Sequence, residues 1–389
     1  MRCRRYELQA FRGQTIRGAG VMMWSRSEVT PFYDLDTYEA AYRFIGKDKV
    51  TMKLREERFS FTSNHETGDS KQVSPEGIHL ALASCGEGLE EVKVLVKSVL
   101  LFSRHVTFHV FSDTPSQQPL CDHIKSLPEI YRKQFKFHVY NATFPLGSYE
   151  WRNMFLPCSS QRLFLPYIIP NVTRLIYVDT DVIFLSPVDN LWGQFDHFNK
   201  SHIAALVQES EDITYDWYKR IAKTPYYGKL GLNSGVMLMD LVRLREHQWL
   251  EKIINYFKEY LPKLLLGDQD LINIYFYFEP EKVYVCSCEW NYRSHHCQYP
   301  TPRSRCPPAL KDGAHILHGA GQRFQGLKYP ALKAVYTAFQ SHRLGLDTKA
   351  DLLRSIKTRL KGARSSCGSM PEAFYKRIEE QINLSPIVH

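Results

Sequence analysis

The chain has 389 residues, 44% of them apolar, enough to bury a substantial core in one large α/β domain or two average ones. Its formal net charge of +9 is spread widely, with concentrations at Arg2–Arg5 and Lys357–Arg364. No helix-turn-helix, zinc-finger or RNA-recognition signature surrounds those runs, so a solvated surface is favoured over nucleic-acid binding.

Residues 1–75 read as a polar, irregular N-terminal stem or linker, with a moderately helical pattern at Tyr38–Phe44 and a Ser/Asn/Gly-rich stretch at Ser60–Ser74. His79–Cys85 reads as a first buried strand, running into Gly86-Glu87-Gly88. Apolar spacing at Val92, Val94, Leu95, Val99 and Leu100 predicts an amphipathic helix over Leu89–Phe102. Strands follow at Val106–Phe111 and Phe135–Tyr140, then a helix at Ser159–Ile169 that carries Arg162. Strands alternating with helices predict an α/β fold, a mostly parallel central sheet with helices on both faces. Ligands of such sheets bind at the carboxyl ends of the strands. Ser84, Cys85 and Gly86 therefore share an edge with Asp179 and Asp181.

The apolar run Leu175–Phe184 reads as a buried strand that delivers those two carboxylates, Asp179 and Asp181, spaced i and i+2. On an extended backbone, positions i and i+2 face the same side. Two like charges there are costly to bury without a counter-cation, and a hard divalent ion would neutralise them while keeping sites free for phosphate oxygens. The plainer reading is a pair of solvated turn aspartates, and three further segments weigh against it. In Leu232–Asp240, Asn233, Ser234 and Gly235 interrupt a strand-like apolar stretch, offering hydrogen bonds and close backbone approach. Gly267-Asp268-Gln269-Asp270 opens a helical pattern, where Asp268 either caps the helix or, with Gln269, presents oxygens to a sugar. In Ala314–Gln322 a short strand ends at His318, a candidate third metal ligand, and enters a glycine-rich turn suited to a diphosphate.

Of the nine cysteines, Cys286, Cys288, Cys297 and Cys306 fall close together beside His295 and His296. Their spacing lacks a C-x₂-C knuckle, so zinc ranks below disulfides, and the odd count leaves at least one thiol unpaired. Sequons at Asn141, Asn171 and Asn199 point to the same oxidising, lumenal environment. After residue 335 the pattern becomes that of short amphipathic helices, Asp351–Leu360 and Pro371–Ile382, and 346–389 is read as a C-terminal helical appendage.

In this order, the four segments resemble retaining glycosyltransferase family 8 over roughly residues 78–335. Within it the strings Leu175–Val182, Leu232–Met239 and His318–Gln322 are most similar to the animal glucoside xylosyltransferases. The resemblance implies a GT-A type nucleotide-sugar-binding fold, with a catalytic domain over 76–345. It implies Mn²⁺ or another divalent cation on Asp179, Asp181 and His318, and UDP-xylose as donor. Xylose would pass in α-1,3 linkage to O-linked glucose on EGF-like repeats of Notch-type receptors. It puts uracil and ribose near Ala83 and Cys85, and the rest of the donor against Arg162, Asn233, Ser234, Gly235, Gly321 and Arg323. Arg162 could equally form a surface salt bridge. Asp268 would bind sugar hydroxyls, and Gln269, an amide and a poor nucleophile, favours a front-face reaction over double displacement. The family's diphosphate-binding lysine falls on Phe324, leaving Arg323 or Lys328 as the nearby basic residues.

Family members resemble type II proteins of the Golgi or endoplasmic reticulum. No stretch here approaches the roughly 18 apolar residues that span a bilayer, and the N-terminus lacks a signal-peptide apolar region. An alternative or incomplete 5′ end is the expectation. Two other readings stand beside the main one: a family-8 transferase using a UDP-hexose, and a non-catalytic carbohydrate- or nucleotide-binding relative. Intact Asp179, Asp181, Asp268, Gln269 and His318 favour an enzyme. Disulfide connectivity and oligomeric state stay open.

Overall fold

The computed structural model describes residues 4–6, 77–144, 151, 154, 158–213, 217–297, 306–321 and 323–384. The chain divides into two units, Ala10–Pro75 and the remainder, and every described residue belongs to the second. Tyr38–Phe44 and Ser60–Ser74 lie outside the described residues.

The strands in chain order are β1 (Arg4–Tyr6), β2 (Ile78–Ser84), β3 (Val106–Ser112), β4 (Lys136–Asn141), β5 (Arg174–Val178), β6 (Val182–Phe184), β7 (Ala204–Gln208), β8 (Leu232–Asp240), β9 (Val283–Cys286) and β10 (Ile316–His318). Eight of them form one sheet in the order β1-β4-β3-β2-β5-β8-β7-β9. Pairing is parallel except on both sides of β8, which runs antiparallel to β5 and β7. All seven residues of β3 and all nine of β8 are buried, the expected pattern for strands covered on both faces. The helix Leu89–Phe102 follows its apolar spacing, burying Val92, Leu95, Val96 and Val99.

The run from Leu175 to Phe184 is not one strand. It is β5, a turn at Asp179–Asp181, and then β6, which leaves the main sheet to pair with β10. In that ribbon His318 sits opposite Val182, so register alone delivers the histidine beside Asp181. The Ser159–Ile169 stretch is a 3₁₀ helix, Ser159–Phe164, continued by one α-turn, Leu165–Ile168. Near the C-terminus the helical path begins at Thr348, ahead of the apolar pattern, because Asp347 Oδ1 accepts the Lys349 and Ala350 N–H groups at 2.8 and 2.9 Å.

A second core gathers Leu332, Phe339, Ile356, Phe374 and Ile378 of the C-terminal helices around Val94 and Leu101 of the first helix and Leu317 of β10. Disulfides join Cys85 to Cys158, Cys288 to Cys306 and Cys297 to Cys367. The cysteine cluster thus resolves into disulfides and not a zinc knuckle. Cys286 stays a buried thiol, pushed up to about 12 by burial and by Glu289. Asn141, Asn171 and Asn199 are all exposed, as glycosylation would require.

Candidate functional site

The turn Asp179–Asp181 is held by backbone on both sides. The Asp179 N–H donates to Gly235 O at 2.9 Å, and the Gly319 N–H donates to Asp181 O at 2.8 Å. The Gly321 N–H reaches Asp181 Oδ2 at 3.1 Å. Gly321 has φ +88°, a conformation that favours glycine. The same face of a strand was the expected device for aligning the two carboxylates; a backbone-clamped turn does it instead. Burial pushes the Asp181 carboxyl up, but His318 and the Gly321 N–H outweigh it and hold the group below the usual range.

His318 Nε2 lies 3.3 Å from Asp181 Oδ1 and 3.7 Å from Asp179 Oδ2, and these three ligand atoms all fall within 4.8 Å of one another. The imidazole lies directly against Gly235. A Cβ at that position would come 2.1 Å from His318 Cε1, so the interrupted strand makes room for the ring. His318 Nδ1 is 2.9 Å from Asn291 Oδ1, which leaves Nε2 for the carboxylate side. Two carboxylate oxygens and an imidazole nitrogen suit a divalent cation such as Mn²⁺, so the residues fit the ion implied by the sequence.

Arg162 is buried and is no surface salt bridge. Its guanidinium reaches Asp179 Oδ1 at 2.6 Å and Asp268 Oδ2 at 2.8 Å, donates to Ser234 O, and lies 4.4 Å from the Tyr177 ring centroid. Burial alone would lower its pKa, but Asp179 and Asp268 more than offset this and keep it a cation. Asp268 does not cap its helix; Gly267 occupies that place, and the carboxyl turns to Arg162. Burial, opposed by Arg162, raises the Asp268 carboxyl. Asp270 has a structural task, accepting the Leu265 and Leu266 N–H groups at 2.7 Å and the Tyr218 hydroxyl at 2.9 Å.

Gln269 Oε1 accepts from the Ser234 N–H at 3.1 Å and from the Ser234 hydroxyl and Asn233 Nδ2 at 3.3 Å. Asn233 is engaged internally. Its Nδ2 also meets Glu209 Oε2 at 2.7 Å, while its Oδ1 accepts from Asn291 Nδ2 at 2.7 Å and the Gly235 N–H at 3.1 Å.

The structure therefore assembles Arg162, Asp179, Asp181, Asn233, Ser234, Gly235, Asp268, Gln269, His318 and Gly321 into one connected group. Ala83 neighbours it at the end of β2, and Cys85 is tied by its disulfide to the residue that precedes the Arg162 helix. Arg323 and Lys328 instead rest over the Tyr329 ring, at 5.4 and 5.7 Å. Phe324 is a core side chain stacked on Tyr336 at 5.2 Å.

Glu91 was not singled out by sequence. Its carboxyl accepts from Thr180 Oγ1 at 3.2 Å and Gln325 Nε2 at 3.1 Å. Burial, then repulsion from Asp181 and Asp179, raises it to about 7. An acidic residue in a first helical turn is ordinary, so nothing in the sequence distinguished Glu91 from Glu90. Among the described residues Glu211, His295 and His296 form another carboxylate–imidazole group.

A parallel-dominated α/β sheet with this cluster at its carboxyl edge defines a GT-A type fold. The galactosyltransferase LgtC, solved with donor and acceptor sugar analogues, has the same fold, with a TM-score of 0.50 at 17% identity over 71% of this chain and 100% of that one. Residues 49–322 match glycosyl transferase family 8, and the chain belongs to that family. Within it the chain is closely related to animal enzymes. Mouse glucoside xylosyltransferase 2 is 38% identical over 330 residues, 81% of this chain and 74% of that protein. Chicken glucoside xylosyltransferase 1 is 39% identical over 321 residues, 79% and 73% of the two chains. The human glucoside xylosyltransferase 1 is 38% identical over 328 residues, 80% and 73%. Homology thus assigns it the glycosyl-transfer activity of the family. No helix of the described residues is long and apolar enough to cross a membrane.

Proposed function

We propose that the protein is a retaining UDP-xylose-dependent glucoside α-1,3-xylosyltransferase acting on O-glucosylated EGF-like repeats in the lumen of the Golgi or endoplasmic reticulum. The observation that carries this reading is the intact constellation of Asp179, Asp181 and His318 beside Asp268 and Gln269. The 38% identity to mouse glucoside xylosyltransferase 2 over 81% of the chain supports the donor and acceptor. The disulfides and the exposed sequons support the compartment.

A divalent cation on Asp179, Asp181 and His318 would stabilise negative charge developing on the departing diphosphate. Asp268, aligned by Arg162, binds hydroxyls of the donor sugar. The acceptor hydroxyl attacks the anomeric carbon from the face that the diphosphate leaves. A new carbon–oxygen bond forms as the carbon–phosphate-oxygen bond breaks, and the hydroxyl proton passes to the leaving diphosphate. Gln269, neutral and fixed by Ser234 and Asn233, stabilises the electron-poor sugar ring through its carbonyl dipole. The test is transfer to an O-glucosylated EGF-like repeat from UDP-xylose, UDP-glucose, UDP-galactose and their N-acetyl forms, with and without Mn²⁺. Preference for a hexose donor would replace the xylose assignment, and inactivity with every donor would favour a non-catalytic relative.

A further inference from the structure

We propose that Asn273 is a positioning residue that sets the register between the helix Asp268–Phe278 and strand β8, and through it the place of the Gln269 amide. The inference rests on the transferase reading above, in which Gln269 stabilises the donor sugar.

β5 ends at Val178, opposite Val236, so residues 232–235 of β8 run past it. Past that point the β8 backbone is met by side chains. Asn273 Oδ1 accepts the Leu232 N–H at 2.8 Å, and Asn273 Nδ2 donates to Leu232 O at 2.9 Å. Two residues on, Gln269 Oε1 accepts the Ser234 N–H at 3.1 Å, and Arg162 Nη1 donates to Ser234 O. Residues four apart on a helix are separated by about 6 Å along its axis, and alternate residues of a strand by about 6.7 Å. The two spacings nearly match. The helix therefore lays Asn273 and Gln269 against Leu232 and Ser234 as a neighbouring strand would lay its backbone.

Asn273 fixes that register. It is inaccessible to solvent, as is Leu232. Backbone groups decide the direction of its amide. The Leu232 N–H can only donate, whereas Leu232 O and Gln269 O, each 2.9 Å from Nδ2, can only accept, so a flipped amide has no partner. One side chain thus ties the strand to the backbone of Gln269 itself. Gly231, with φ +70°, leaves room for it: a Cβ there would stand 3.3 Å from Asn273 Oδ1 and 2.9 Å from the Tyr218 ring. Without Asn273 the Leu232 N–H and carbonyl are stranded in a dry interior, and Gln269 loses its place beside Ser234.

Hydrogen exchange at the Leu232 and Ser234 N–H groups tests the register without donor, and turnover with UDP-xylose tests its consequence. In wild type both amides should be protected. Asn273→Ala should remove protection at Leu232 and also at Ser234, which Asn273 does not touch, with circular dichroism unchanged. It should lower kcat by about 10²-fold, the cost of displacing a catalytic group by about 1 Å, and leave the donor KM nearly unchanged. In a Gln269→Ala background the same change should cost no further turnover, because Asn273 acts through Gln269. Losses that multiply would make Asn273 a residue of general stability and overturn the proposal. So would a protected Ser234 in Asn273→Ala, or an unprotected one in wild type. If Asn273→Ala fails to fold, Asn273→Asp decides. Its carboxyl, protonated at low pH, accepts from the Leu232 N–H and donates to Leu232 O, so Ser234 should be as protected there as in wild type. Free exchange of Ser234 under those conditions would overturn the register. A wild type that protects both amides yet turns over no UDP-sugar would overturn the transferase reading, and the catalytic part of this proposal with it.

Discussion

Two clusters in this protein have nearly the same ingredients and opposite wiring. In Asp179–Asp181–His318 the far ring nitrogen faces an amide oxygen, Asn291 Oδ1 at 2.9 Å, and the near nitrogen faces two carboxylates. In Glu211–His295–His296 the far nitrogen of His296 accepts the Arg293 N–H at 2.8 Å, so Nε2 keeps its proton and donates it to Glu211 at 2.6 Å. The first arrangement leaves a lone pair for a cation. The second commits the near nitrogen to a hydrogen bond with the Glu211 carboxylate that ties the chain after β7 to Arg293–His296. Proximity of histidine and carboxylate does not define a metal site; the partner of the other nitrogen does.

The largest effect should come from the carboxylates of the first cluster. Asp179→Asn or Asp181→Asn should reduce transfer below detection at ordinary Mn²⁺, with circular dichroism unchanged, while Glu211→Gln keeps activity. Full activity of either aspartate variant in chelator would erase the distinction between the clusters. Gln269→Ala should lower turnover by about 10²–10³, the loss typical of one preorganised stabilising group. Its product should stay α-linked, and wild type mixed with donor alone should carry no glycosyl adduct on intact-mass analysis. A kinetically competent adduct on Gln269 would replace the front-face route.

Next in size is a paired comparison of histidines. His318→Ala should weaken Mn²⁺ binding by roughly 10- to 100-fold with little change in thermal midpoint. His296→Ala should do the reverse, leaving Mn²⁺ affinity alone and costing about 1–3 kcal/mol of stability by stranding the Glu211 hydrogen bond. Matching metal losses in both would mean the wiring argument is wrong.

The smallest and broadest effect is that of pH. Burial lowers the pKa of His295 and His296, and it lowers those of His109 and His315 from 6.5 to about 3. These folded-state values lie below the unfolded one, so their stabilisation is complete above 6.5 and is lost as pH falls from there toward about 3. Glu211 acts in the same direction: despite burial, its histidine partners hold its carboxyl below the ordinary 4.5, so further stability is lost below that pH. Urea midpoints should decline on acidification from neutral pH. A midpoint that rises below pH 6.5 would contradict the neutral assignment of the second cluster.

The parts of the site readable from sequence were those in which chemistry is local. Asp179 and Asp181 break an apolar run, Asn233, Ser234 and Gly235 interrupt another, and His318 ends a strand before glycines. The sheet was readable for the same reason, since Val106, Phe108, Val110 and Phe111 of β3 concentrate apolar and β-branched side chains in one short segment. What could not be read depends on contacts far apart along the chain. Arg162 was undecided because its partners Asp179 and Asp268 come from the β5 turn and a distant helix. Asn291 lies in a segment whose cysteines drew the attention, and Glu209 carries no motif; only folding joins them. The strand reading of 175–184 missed the turn because β6 is as apolar as β5 while belonging to another sheet. Phe324 marked an absent lysine in the sequence; in the fold it packs against Tyr336.

The Cys85–Cys158 bridge has a practical consequence for anyone making the protein. It closes a loop with a sequence separation of 73 residues and anchors the start of the 3₁₀ helix that carries Arg162. In the chain-entropy account a loop of that length contributes about 4 kcal/mol relative to the reduced chain. A bacterial cytosol would leave the bridge open. Chains recovered from such a host should then fold in lower yield and hold Arg162 less firmly between Asp179 and Asp268. Secretion from a eukaryotic host, with the bridge formed during synthesis, is the preparation in which donor affinity should be measured.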